Sequence, residues 1–147
     1  MRGLLAIIFL FVIPTFSITS ATIPSIKLAC ILVPKWHIVI INNISEGVIL
    51  HLKSRNDDLG NHTLPNNGSY DWEFCDTGQT VYSGEFRWGS KDQTLNLYDT
   101  HAWETCKNGK FFGTQHCYWL VRPEGFYIGK ENTPFPNEGW HLEKSWP

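Results

Sequence analysis

Apolar and polar residues alternate with a period of two along most of this chain. Trp36-His37-Ile38-Val39-Ile40-Ile41-Asn42 is rich in β-branched residues and predicts a strand. In Val48–Ser54, Val48, Leu50 and Leu52 share one face while His51 and Lys53 point the other way. The turn from Asn42-Asn43 to Gly47 between these segments predicts that they pair as a hairpin. A polar stretch, Arg55–His62, reads as a loop, and Pro65-Asn66-Asn67-Gly68 as a turn. Tyr70, Trp72 and Phe74 then sit two apart, and Tyr82, Gly84, Phe86 and Trp88 repeat the spacing with Glu85 and Arg87 opposite.

Gly89–Asp92 turns the chain, and Leu95 and Leu97 mark another short strand. The polar region from His101 to Gly113 fits a loop or one helical turn. Alternation returns at Cys117, Trp119 and Val121. A turn at Pro123-Glu124-Gly125 leads into Phe126-Tyr127-Ile128, and Trp140–Trp146 reads as a last strand. Many short one-sided strands with regular turns predict an all-β fold: a small antiparallel β-sandwich of about seven or eight strands.

One segment breaks the alternation. Arg2 precedes an uncharged apolar run, Leu4–Ile13, which ends at Pro14 and small residues. A charged start, a short apolar run and a small-residue exit predict a signal peptide over residues 1–21, cleaved after Ala21. Spanning a bilayer takes about 20 apolar residues, so neither this run nor any later one predicts membrane insertion. Residues 22–147 are then expected to form one secreted domain.

Export fits two further features. Asn43-Ile44-Ser45, Asn61-His62-Thr63 and Asn67-Gly68-Ser69 are N-glycosylation acceptors beside turn-like residues. Cys30, Cys75, Cys106 and Cys117 form an even set that an oxidising compartment would join as two disulfides, with three possible connectivities. No Cys-x-x-Cys pair favours zinc over disulfides. The formal net charge of −2 comes without a Lys/Arg cluster, which argues against nucleic acid and anionic membranes as partners.

Catalytic chemistry has little footing. The six histidines are scattered. No nucleophile elbow, zinc-protease helix or phosphate loop occurs, so no cofactor and no enzymatic activity is expected. Asp57-Asp58 reads as turn chemistry, since neighbouring extended residues point apart and Asx side chains bond local backbone. Trp72, Trp88 and Trp119 are expected in the core rather than on an exposed sugar-stacking platform.

Four segments in order carry a family resemblance. His51-Leu52-Lys53-Ser54-Arg55-Asn56-Asp57-Asp58-Leu59-Gly60 resembles the hallmark segment of the plant self-incompatibility S-protein homologues, in which His-Cys-x-Ser leads into a Lys-Asp-Asp-Asp-Leu-Gly-like loop. Ser69–Phe74 resembles the family's aromatic strand, and Glu85-Phe86-Arg87-Trp88 its strand ending Phe-x-Trp. Cys117–Tyr127 resembles its Cys-x-Trp strand and following hairpin.

The resemblance implies a secreted β-sandwich acting as an extracellular signalling ligand. The implied partner is a plant cell-surface receptor, with self-pollen rejection the best-known family role and a monomer the expected state. The contact candidates are Arg55, Asn56, Asp57, Asp58 and His62 within the Arg55–Leu64 loop, together with the polar stretch Ala102–Gln115. The competing reading is a cell-wall carbohydrate-binding protein or small secreted enzyme.

The family pattern also bears on the cysteines. Cys106 and Cys117 match family cysteines, whereas Leu52 and Gly84 stand where the family usually has two more. If those two are partners in the family, the resemblance implies a retained Cys106–Cys117 bridge and a new Cys30–Cys75 bridge. If they pair with the later two, all pairing here is rearranged. The first alternative is preferred.

Overall fold

The computed structural model describes residues 30–110 and 112–147. The proposed leader and its cleavage site therefore lie outside the described residues. Nine strands and one short helix occur in the order β1 (Lys35–Asn42), β2 (Val48–Ser54), β3 (Asp58–Leu64), β4 (Ser69–Cys75), β5 (Tyr82–Trp88), β6 (Lys91–Tyr98), α1 (Thr100–Cys106), β7 (Thr114–Arg122), β8 (Gly125–Gly129) and β9 (Trp140–Ser145). Two sheets, β4-β1-β7-β8-β9 and β3-β2-β5-β6, face each other as a sandwich. All pairings are antiparallel except β1 with β7, which run parallel.

The alternating residues meet between the sheets. Trp36, Ile38, Ile40, Trp119, Val121 and Ile128 face inward from the five-stranded sheet. Val48, Leu50, Leu52, Phe86 and Leu97 oppose them from the other. Each fully buried side chain of this size contributes about 1.5–3 kcal/mol by leaving water, and the aromatic rings fill the interior. Trp36 packs 5.0 Å from Tyr98, and Phe86 4.8 Å from Phe126, centroid to centroid.

The expected β1–β2 hairpin does not form: β1 pairs with β4 and β7, β2 with β3 and β5. Asn42 explains the crossing between sheets. Its buried amide donates to the carbonyls of Glu46, Leu64 and Pro65 at 2.8, 2.9 and 3.2 Å, and its Oδ1 accepts from the Ile44 amide at 2.9 Å. A buried side chain satisfying that many backbone groups fixes the path of the connection. Chain neighbours thus become facing strands rather than paired ones.

One further expectation is corrected, and of two open alternatives the helical one is found. Part of the Arg55–His62 loop is strand β3, which sits at a sheet edge where polar residues are tolerated on both faces. Within His101–Gly113 the structure places α1, capped by Asp99, whose Oδ1 accepts from the Ala102 amide at 3.0 Å. This helix buries Ala102 and Cys106.

All four cysteines are paired, Cys30 with Cys75 and Cys106 with Cys117, at Cα separations of 5.4 and 5.3 Å. Leu52 and Gly84 are direct cross-strand partners on β2 and β5. The positions that carry cysteine in the family pattern therefore oppose each other, as the preferred alternative requires. Leu52 is fully buried, and a Cβ at Gly84 would lie 2.7 Å from Leu97 Cδ1 and from Phe86 Cε2. Apolar packing occupies the place of a bridge.

Candidate functional site

The strand registers gather four connections at one end of the sandwich. Ser54 lies opposite Tyr82, Tyr82 opposite Tyr98, and Lys35 opposite both Cys75 and Thr114. Segments 30–34, 55–57, 76–81, 107–110 and 112–113 therefore open on the same pole. Between 55–57 and 76–81 lies an open groove of about 680 Å³, with Phe74, Cys75 and Tyr82 in its lining. That volume is within the range of ordinary ligand sites, although the groove is open and its lining is polar and apolar in about equal measure.

One wall is the β2–β3 turn. Ser54 Oγ accepts from the Asn56 and Asp57 amides at 3.3 and 3.0 Å, and the Ser54 amide donates to the Asp57 carbonyl at 2.7 Å. A serine side chain bonded this way imitates a backbone turn, and it leaves Arg55, Asn56 and Asp57 exposed. Opposite, Asp76 Oδ1 accepts from the Gly78 amide at 2.9 Å, and the Tyr98 hydroxyl donates to Asp76 Oδ2 at 2.8 Å. The Tyr82 phenol is held above its usual range, first by burial and then by the Asp57 charge.

The remaining contact candidates are drawn into the scaffold. Leu52 pairs with Gly60 and Lys53 with Asp58, so Leu59 is the extra residue of a β-bulge. Asp58 Oδ1 accepts from the Gly60 amide at 2.8 Å and lies 2.9 Å from His51 Nε2. These two contacts, the Gly60 amide foremost, lower the Asp58 pKa. Gly60 adopts φ 81, where a side chain would be strained. His62 stacks on Tyr70 with centroids 3.7 Å apart and bonds the Leu59 carbonyl at 2.8 Å, bridging the edges of the two sheets.

In the second predicted stretch, Ala102, Cys106 and Gln115 are buried. Gln115 braces segment 107–110 by accepting from the Asn108 amide at 2.9 Å and donating to the Lys110 carbonyl at 2.7 Å. The sequence reading did not single out Thr77–Val81 or Ile31-Leu32, yet both segments lie at this pole. Ile31, Leu32, Val81 and Phe112 are 74, 82, 45 and 82% exposed. They are four of the six large apolar side chains left exposed among the described residues. The signal for them was present as apolar residues inside otherwise irregular segments.

The chemistry of the alternative readings is placed as follows. Trp72 and Trp119 are buried, and Trp119 Nε1 donates to the Leu97 carbonyl at 2.9 Å. Trp88 is half-buried against Trp146 under the Lys91 ammonium, and its Nε1 donates to Glu46 at 2.7 Å. These three do not form a coplanar exposed platform. His51 lies between Asp58 and Glu85 on the outer face of the four-stranded sheet, and Lys53 pairs with the same Glu85. That pairing, Lys53 first, lowers the Glu85 pKa.

The geometry defines a class: a small, disulfide-stapled β-sandwich with four of its six exposed large apolar side chains among the described residues on segments at one end. The family model described as plant self-incompatibility protein S1 matches residues 37–146, and the chain belongs to that family. S-protein homolog 5 of Arabidopsis thaliana is 28% identical over 111 residues, covering 70% of this chain and 80% of the relative. S-protein homolog 1 of the same plant is 27% identical over 110 residues, covering 67% of each. A solved SPH (self-incompatibility protein homologue) structure superposes with a TM-score of 0.55 at 20% identity, covering 78% of this chain and 96% of the other. It is described as one of a widespread family of small, highly stable, secreted plant proteins. The export expectation is thus met at the level of the family.

Proposed function

We propose that this protein is an extracellular signalling ligand that presents the pole formed by 30–34, 55–57, 76–81, 107–110 and 112–113 to a plant cell-surface receptor. The observation that carries the reading is the exposure of Ile31, Leu32, Val81 and Phe112 on segments that open on the same pole as the Arg55–Asp57 turn, with Val81 lining the groove beside that turn. Exposed apolar residues rimmed by polar ones are the usual make-up of a protein-binding patch. The acceptor positions support the same polarity. Asn43 and Asn67 lie at the opposite end, 3.2 Å apart through Nδ2 and Oδ1. Asn61 is in register with His51 on the outer sheet face. Glycan at these sites would leave the pole open. The reading makes the protein a binder rather than an enzyme, acting as a monomer outside the cell.

The test applies tagged, oxidised protein to plant cells, with crosslinking and capture. Arg55→Glu, Leu32→Asp and Val81→Asp are expected to weaken cell binding at least tenfold while leaving the melting temperature within about 2 °C, as exposed sites do. Glu124→Lys at the far end is the control. Unchanged binding in all three pole variants would remove the pole from the interface. Recovery of wall polysaccharide alone would establish the carbohydrate-binding alternative.

A further inference from the structure

The parallel pairing of β1 with β7 places His37 directly beside His116 on the outer face of the five-stranded sheet. The two residues are 79 apart in sequence, and their Nδ1 atoms are 3.3 Å apart. On the other side of the first ring, His37 Nε2 lies 2.8 Å from Asp71 Oδ2, on β4. The Tyr118 ring runs parallel to His116, with centroids 6.3 Å and ring planes 11° apart. The Glu73 carboxylate, opposite His37 in register, is paired with Lys35 at 2.7 Å.

We propose that His37 and His116 form a two-imidazole site for a divalent transition metal ion of the zinc class, with Asp71 as a positioning residue. The distance between the ring nitrogens carries it. Two ligands about 2.05 Å from zinc at a tetrahedral angle lie about 3.3–3.4 Å apart, which is the observed separation. Imidazole nitrogen suits zinc and copper. The Asp71 contact has the carboxylate–histidine–metal arrangement that fixes a ligand's tautomer, leaving Nδ1 unprotonated to face the ion. In the absence of an ion, one Nδ1–H donating to the other Nδ1 accounts for the same contact.

Among the described residues no group of three His, Cys, Asp or Glu donors forms. The remaining coordination positions belong to water or to a donor on another molecule, so the site is open and external. It lies on the outer sheet face, two residues inward from Lys35 and Thr114 at the pole, and its metal-binding test is read without the receptor.

The experiment titrates Zn²⁺ into the secreted, oxidised protein by calorimetry and follows the histidine side-chain nitrogens by NMR. Expected are saturable one-to-one binding and a Zn²⁺-induced shift of Nδ1 confined to His37 and His116. His37→Ala and His116→Ala should each weaken binding at least tenfold, and His141→Ala should not. Asp71→Asn should weaken it about tenfold, with Asp71→Glu restoring part of the loss. These substitutions lie on the outer sheet face, His37 half-buried and His116 and Asp71 exposed, and leave the melting temperature in place, which separates lost ligation from lost fold. Equal Zn²⁺ binding by wild type, His37→Ala and His116→Ala would overturn the site, as would failure to saturate or a shift at Nε2. Wild-type affinity in Asp71→Asn would overturn the positioning role.

Discussion

Leu52 and Gly84 allow the relation between this chain and its family to be tested as a stability measurement. The perturbation is Leu52→Cys with Gly84→Cys. Opposed residues in an antiparallel pair have Cα atoms about 4.5–5.5 Å apart, inside the range a disulfide spans. The single substitutions should each destabilise. Leu52 is fully buried, and shortening a buried leucine costs about 2 kcal/mol or more. A side chain at Gly84 begins 2.7 Å from Leu97 Cδ1 and Phe86 Cε2, and overpacking of that kind costs about 1–3 kcal/mol. Together, unbridged, they predict a loss of about 3–5 kcal/mol. A bridge across the 32 positions between them (84 − 52) offsets this by about 3.5–4 kcal/mol through the unfolded chain.

The oxidised double variant should therefore melt near wild type. It should exceed the sum of the two single variants by about 15 °C, at about 4 °C per kcal/mol. Calorimetry supplies the melting temperatures, thiol titration should find no free thiol, and non-reducing peptide mapping should return Cys30–Cys75, Cys106–Cys117 and the new link. Two free thiols in the double variant, or additive destabilisation, would refute the reasoning that these positions form a matched pair.

Tyr98→Phe removes the hydroxyl that donates to Asp76 and should cost about 1–2 kcal/mol, visible as a lower urea midpoint. Burial, with Asp76 next in effect, raises the Tyr98 pKa above its ordinary value of 10.0, and Tyr82 is raised as well. The unfolded chain then loses these protons first, so stability should hold below pH 10 and fall as pH rises beyond it; a flat melting temperature from pH 9 to 11.5 would contradict this. Trp146 packs 4.6 Å from Phe126 and donates from Nε1 to the Arg122 carbonyl at 2.9 Å; Trp146→Ala should cost about 3 kcal/mol, measured by denaturant unfolding. Asn43 is half-buried, with Oδ1 accepting from Arg122 and Nδ2 donating to Asn67, so site-resolved mass spectrometry of the secreted protein should find glycan on exposed Asn61 and Asn67 in preference to Asn43.

Legibility in the sequence followed one-sidedness. β1, β2, β5 and β7 each have one face in the core, so burial alternates along them and the pattern announces them. β3 has no such face, because its edge position exposes it and its bulge breaks the register. The seven-residue α1 is too short for a helical period to emerge. Sheet membership of β1 and β2 was not legible either, since it depends on Asn42 bonding Leu64 and Pro65, more than 20 residues away. The motif pointed alike to Arg55, Asn56, Asp57, Asp58 and His62; the first three are exposed on the turn at the pole, whereas Asp58 and His62 serve the bulge and the sheet edge. The His37–His116 contact needs a parallel strand pair that no local pattern encodes.

The change of bridges relative to the family pattern has a direction. The chain-entropy effect of a cross-link depends only on the logarithm of loop length, so a bridge over 45 positions and one over 32 differ by about 0.3 kcal/mol. Unfolded-chain entropy therefore does not distinguish them. What they pin differs. A link between Leu52 and Gly84 positions would join strands already held by their ladder, and apolar packing of Leu52 against Phe86 and Leu97 keeps that region closed without it. The Cys30–Cys75 link instead fastens segment 30–34 to the end of β4, an edge strand of the five-stranded sheet. The Asp76 amide adds a bond to the Pro34 carbonyl at 2.9 Å. Cys75 lines the groove, and Ile31 and Leu32 follow Cys30 directly. The constraint has thus moved from the middle of one sheet to the rim of the pole, where it orders two apolar side chains that no strand holds. A ligand that binds through that pole gains from such ordering, because side chains fixed beforehand lose less entropy on association.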